Sequence, residues 1–289
     1  MENTKQSWGI IVKLIALFGC FLLVWFRNFD LSFLNGLDNE LKFTGITSGA
    51  LLLFDFFVFF FENRKRFITI MVSYLPHKRK QKLRLSFSYL LKIYDEKYFL
   101  IYNSLKNQYQ PVGGVYKYDQ QKMSDRFEDW TIERDTATNV ENGEYDLRLF
   151  IYNRFKLRKF LTWFDRDEDR ESDPWREFHE ELVSTGILDG KQFYYIDYSK
   201  KWVCQTGIFK DKYRNGQESL KVFHVYEMNW TNKLHLEAVQ VLKTSHDERI
   251  IWVSADEIKQ GFVMHNDKKK IISTTARLLL NKDEDPRAV

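Results

Sequence analysis

The chain has 289 residues, 44% hydrophobic and 29% charged, with a formal net charge of +4, which excludes a disordered or collagen-like polymer. Four prolines and thirteen glycines stand against 25 Phe, 15 Tyr and 8 Trp, so low complexity is excluded and there is aromatic mass for a core. Two cysteines, Cys20 and Cys204, can build neither a disulfide framework nor a zinc cluster, and a reducing cytosol suits the bulk of the chain.

Trp8 to Phe26 reads WGIIVKLIALFGCFLLVWF, close to the roughly 20 apolar residues that a membrane-crossing helix needs. Phe43 to Phe61 is a second such run. Together they predict a two-helix transmembrane hairpin over residues 1–66, with spans at about 8–26 and 43–61. A cleaved signal peptide is the rival reading of the first run, but that run ends in bulky residues and a second one follows. Asp30, Asp38 and Glu40 lie between the runs, whereas Arg64, Lys65, Arg66, Lys78, Arg79, Lys80, Lys82 and Arg84 follow the second. The positive-inside rule then puts both termini in the cytoplasm, with the lipid bilayer as a partner.

A charge within a span costs about 2.5–3.5 kcal/mol on insertion scales. Lys13 and Asp55 fall at similar depth in such a hairpin and are expected to pair, within or between chains; the alternative is that Lys13 snorkels to the interface. Residues 67–84 read as a basic juxtamembrane linker beside an anionic leaflet. That position accounts for the charge without a polymeric nucleic-acid partner.

Residues 85–289 are expected to form a strand-rich cytoplasmic domain. LRLSFSYLLKI, YFLIYNSL, YDLRLFIYN, KQFYYIDY, KWVCQTGIF, LKVFHVYEMNW and KLHLEAVQVL alternate or run apolar. Helical patterning appears at Pro174 to Thr185, Ala255 to Gln260 and Ile271 to Asn281, and Tyr116 to Asn142 reads as a long surface excursion. The six histidines show no ligand spacing and read as surface or cross-strand residues.

Asp173-Pro174 opens the chemically richest helix, WREFHEELVSTGIL. At about 100° per residue Glu177, Glu180 and Glu181 share one narrow face, opposite Trp175, Phe178 and Leu182. Three carboxylates on one face form either a solvated surface or a set of hard oxygen donors for Mg²⁺ or Mn²⁺ bridging to phosphate.

Arg176-Glu177-Phe178-His179-Glu180-Glu181, with Glu168 seven intervening residues before Arg176, resembles the box of the NUDIX family. Gln110-Pro111-Val112-Gly113-Gly114 resembles the turn that enters that box. The resemblance implies an α+β fold, a NUDIX-like mixed-sheet cytoplasmic domain with insertions behind the hairpin. It further implies metal ligation by Glu177, Glu180 and Glu181, an auxiliary carboxylate at Glu168, and an acidic partner for Arg176 that fixes the helix-loop geometry. The sequence departs from the box where glycines belong. Thr162 stands at the first, or else Gly114 fills that place and Val115 to Asp167 is an insertion; the closing glycine is delayed to Gly186.

The two runs followed by this domain look like the SMODS-associated NUDIX effectors of bacterial cyclic-oligonucleotide anti-phage signalling (CBASS). That resemblance implies a homo-oligomerising sensor of a cyclic oligonucleotide made by a linked nucleotide cyclase, whose membrane segment disrupts the inner membrane. Gly113, Gly114, Tyr116, Lys117, Glu177, Glu180 and Glu181 would then be its ligand-binding residues. The alternative is a membrane-tethered, Mg²⁺-dependent pyrophosphohydrolase acting on a nucleoside diphosphate-linked substrate.

Overall fold

In the computed structural model, which describes residues 55, 58–61 and 63–288 apart from residues 77, 79, 80, 129, 131, 136–139, 142, 143, 231 and 266, the strand Leu83–Lys92 occupies the middle of the main sheet. The chain divides into two compact units, Met1–Asn63 and Arg64–Val289; the fold described below is that of the second.

Leu83–Lys92 is almost entirely buried because its alternation feeds two cores. Leu83, Leu85, Phe87, Tyr89 and Leu91 point into the larger one, and Leu90 joins the smaller. One edge of this strand runs parallel to Gln217–Met228, from the pair Arg84 and Ser219 to the pair Lys92 and Glu227. Its other edge is antiparallel to Arg148–Ile151, which pairs onward with Ile132–Arg134. Beyond Gln217–Met228 lie Tyr198–Gln205 and the short strand Phe209–Asp211. A second sheet centres on Lys97–Asn103, paired with Ile250–Val253.

The helix Leu157–Asp165 packs on the larger core through Leu157, Phe160, Leu161 and Phe164, residues spaced three and four apart along one stripe. Phe164 meets Phe87 at a ring-centroid distance of 4.1 Å. Burying each such ring contributes about 1.5–3 kcal/mol.

Several expectations are revised. KLHLEAVQVL is a helix, Lys233–Thr244, capped by the Asn232 side chain, and not a strand. Its letters fit either period, but the buried residues His235, Val239 and Leu242 follow the helical one, and Leu234, Leu236 and Val241 are exposed. Tyr116 to Asn142 is no surface excursion, since Met123 and Phe127 enter the larger core. Most of KQFYYIDY lies outside any strand, and the expected C-terminal helix is a 3-10 turn at Thr274–Leu279. The helix Ala255–Gln260 is present and carries a full capping box from Ser254 and Glu257.

The expected fold class and inner-membrane placement are corrected: the described chain is a mixed α/β sheet domain, and no helix among the described residues is long and apolar enough to cross a membrane. The helix Arg64–Ser73 has ten residues where about 20 are needed, and it opens on Arg64, Lys65 and Arg66. Residues 8–26 lie wholly, and residues 43–61 mostly, outside the described residues. So does Lys13, which leaves its expected pairing with Asp55 outside them as well. Arg66 pairs with Asp165, Lys78 with Glu218, Lys82 with Glu133 and Arg84 with Asp135, at 2.5–2.8 Å, which ties the basic stretch to the sheet domain.

Candidate functional site

The segment Val112 to Tyr116 continues the sheet edge where Arg148–Ile151 stops. The Leu91 amide donates to the Val112 carbonyl at 2.9 Å, the Tyr89 amide to the Gly114 carbonyl at 2.9 Å, and the Tyr116 amide to the Phe87 carbonyl at 3.2 Å. Gly113 has φ +148°, and a Cβ there would lie 2.3 Å from the Tyr89 carbonyl oxygen. At Gly114 a Cβ would meet the Glu177 carboxylate at 1.7 Å. The two glycines therefore let the main chain slide between the central strand and the acidic helix.

That helix changes character midway. Trp175–Phe178 is α-helical, with the Trp175 amide donating to the Asp173 carboxylate at 2.9 Å. His179–Val183 is a π-helix, closed by the Ser184 amide donating to the His179 carbonyl five residues back at 2.8 Å. A π turn advances fewer degrees per residue, so the single face expected for the three glutamates is split. Glu180 is exposed, whereas Glu177 and Glu181 turn under the two glycines, and Glu181 accepts a hydrogen bond from the Gly113 amide at 2.9 Å. Phe178 and Leu182 still reach the core, and Gly186, at φ +72°, ends the helix.

Arg176 ties these parts together. Its Nε and Nη2 donate to Glu171 at 3.1 and 3.2 Å, its Nη1 to Glu177 at 2.7 Å and Glu180 at 3.1 Å, and its Nη2 also to the Val115 carbonyl at 3.0 Å. Glu171 in turn accepts from the Tyr89 hydroxyl and the Lys117 amide, both at 3.0 Å. Burial works against the guanidinium charge, but Tyr89, Glu177 and Glu171 beside it outweigh that and hold its pKa above the ordinary arginine value.

The carboxyls respond to the same burial. It pushes Glu177 up, with Arg176 opposing, and pushes Glu181 up to about 8 against the Gly113 amide. A carboxyl raised from 4.5 to about 8 on folding binds its proton more tightly in the folded chain. Its contribution to stability is complete below pH 4.5 and is lost as pH rises toward 8. Glu181→Gln keeps an acceptor for Gly113 and cannot ionise. Urea unfolding between pH 5 and 9 is expected to show the variant losing less stability with rising pH than the parent chain; parallel pH profiles would refute a buried, protonated Glu181.

Hard carboxylate oxygens are of the type that Mg²⁺ or Mn²⁺ takes. Their disposition here does not fit one. Among the described residues no three acidic, histidine or cysteine side chains gather as a metal-holding group. A guanidinium already bridges Glu177 and Glu180, and Glu181 is turned toward a backbone amide.

The other expected site residues scatter. Glu168 lies on the surface, paired with Arg126 at 2.7 Å. Tyr116 is fully buried, its hydroxyl 2.8 Å from His224 Nδ1 and 2.9 Å from the Tyr226 hydroxyl, so its ring is no open stacking surface. Lys117 is buried with its ammonium 3.2 Å from Asp146. His224, expected at a surface or cross-strand position, stands opposite Tyr89 and Val203 across the sheet and is buried there, and burial drives its pKa down to about 2, leaving the ring neutral. Sequence spacing does not single out Glu171, because its partners Tyr89 and Lys117 lie 82 and 54 residues away.

A family model for the SMODS-associated NUDIX domain matches residues 82–280. No curated protein and no solved structure matches the chain. The matched span runs from the start of the central strand to the end of the Thr274–Leu279 turn, so it takes in both cores, the glycine segment and the Arg176 cluster.

Proposed function

The chain belongs to the family of SMODS-associated NUDIX domains, and from that premise we propose that its sheet domain is a non-hydrolytic sensor of a cyclic oligonucleotide in an anti-phage effector. The family ties the chain to cyclic-oligonucleotide signalling. What favours sensing over turnover is the use made of the box. Arg176 is shared among Glu171, Glu177 and Glu180, so the acidic set braces the helix against the glycine segment and does not converge on a cation. Phosphoanhydride hydrolysis depends on metals and water placed to within a fraction of an ångström, and an altered helical register removes that placement. Recognition of a nucleotide does not require it. Ligand binding would then shift the domain between two states, or drive its assembly, by its difference in affinity for them.

The test uses the full chain with a panel of cyclic di- and trinucleotides and linear dinucleoside diphosphates, with and without Mg²⁺. One cyclic nucleotide is expected to raise the melting temperature by several degrees at saturating concentration and to be recovered intact by chromatography. Cleavage of a linear diphosphate that requires Mg²⁺ and disappears in Glu180→Gln would replace the sensor with a hydrolase.

A further inference from the structure

A second feature lies away from the box. Along the central strand Arg84 is five residues from Tyr89, roughly 16 Å at about 3.3 Å per residue, and its side chain alternates to the opposite face. There an open cleft of about 840 Å³ is lined by five cations and two carboxylates. Its walls come from distant parts of the chain: Lys78, Lys82 and Arg84 from one, Asp135 and Phe150 from two others, and Lys210 with Tyr213 to Glu218 from a fourth.

The floor is already paired. Arg84 and Asp135, each about 5% exposed, hold one another at 2.8 Å, and Arg154 and Lys78 share Glu218. Each carboxylate thus serves two cations, since Arg214 also approaches Asp135, at 3.9 Å. The rim differs. Lys210 has no ion pair among the described residues, Arg214 has only that long one, and both are exposed. Between them in sequence stands Tyr213, with 65% of its surface in solvent. The tip turns back through Asn215 and Gly216, both with positive φ.

A surplus of positive charge in a concavity raises the local concentration of anions. A lone phosphate would use little of this volume, which falls in the upper part of the range for pockets that enclose whole organic ligands. An exposed aromatic flanked by cations is the arrangement that stacks a base while phosphates are neutralised. We propose that this cleft, and not the acidic helix, is where the domain binds a phosphodiester-linked nucleotide ring, with Lys210 and Arg214 meeting the phosphates and Tyr213 stacking on a base. This rests on the sensor reading and adds to it the location of the site.

Isothermal titration of the full chain with the same cyclic di- and trinucleotide panel tests it, comparing the parent with Lys210→Glu/Arg214→Glu, with Tyr213→Ala and, as a charge control outside the cleft, with Lys233→Glu. All of these side chains are exposed, so the fold is expected to survive, and the melting temperature of each variant without ligand checks that. The supporting result is a loss of affinity of about tenfold or more in the double variant and in Tyr213→Ala, with the control unchanged and parental affinity falling as salt is raised. If the parent binds a cyclic nucleotide and the cleft variants bind it equally well, the cleft assignment is overturned and the sensor stands. If the parent binds none of the panel, the sensor reading falls, and the cleft assignment falls with it.

Discussion

Arg176→Ala is expected to destabilise the sheet domain by about 3–5 kcal/mol, the largest effect of any substitution in the acidic cluster. The Arg176 side chain is only 22% exposed and serves Glu171, Glu177, Glu180 and the Val115 carbonyl, while the side chains of Glu171 and Glu177 are 13% and 15% exposed. Removing it leaves two carboxyls buried without their cation and the Val115 carbonyl without that donor. Arg176→Lys restores the charge but not the planar fork that reaches Glu171 on one side and Glu177 on the other, so it should recover only part of the loss. Urea unfolding of the three proteins measures this, with equal m-values confirming that the same unit unfolds. A loss below about 1 kcal/mol in Arg176→Ala would show that the cluster is peripheral to folding.

The same cluster shows why the site was only half legible in the sequence. Spacing along a regular helix brought Glu177, Glu180 and Glu181 together, and the chain near Asp173-Pro174 does start a helix there. The π segment was invisible because no residue in His179–Val183 announces a changed hydrogen-bond register; Phe178 and Leu182 enter the core in either register. Glu168 has the box spacing from Arg176, yet Arg176 is met by Glu171, and what holds Glu171 in place is the Tyr89 hydroxyl and the Lys117 amide from elsewhere in the fold. Local order cannot reveal that.

The fold divides in a similar way. Leu83–Lys92 is readable as a strand because its alternation is strong, and Ala255–Gln260 as a helix from its patterning, which the structure closes with a capping box from Ser254 and Glu257. Lys233–Thr244 carries a strand-like pattern because Leu234, Leu236 and Val241 are exposed apolar residues that mimic strand alternation. The cleft could not be seen at all, since Arg84, Asp135, Phe150 and Arg214 become neighbours only when Leu83–Lys92 takes up strands from both halves of the domain.

Gly113→Ala is the second large effect expected, and comparison with other glycines isolates its cause. A side chain at φ +148° is strained by about 1–3 kcal/mol whatever space surrounds it. The added methyl would also fall 2.3 Å from the Tyr89 carbonyl oxygen and 2.9 Å from the Leu90 Cα, both backbone atoms of a strand held on its far edge by Gln217–Met228. Neither can move without breaking the ladder, so overpacking adds about 1–3 kcal/mol more. Gly114→Ala meets only the Glu177 side chain, which can swing aside by giving up its contact with Arg176, and the loss there should be smaller. Gly207, with open space around its Cβ position and no positive φ, should accept alanine at no cost or with a gain of about 0.4–1 kcal/mol from the unfolded chain. Unfolding free energies that rank Gly113→Ala below Gly114→Ala, and that below Gly207→Ala, would confirm that the glycine segment is pressed between the central strand and the acidic helix. Equal losses at 113 and 207 would mean that the close approach at Tyr89 does not exist in solution.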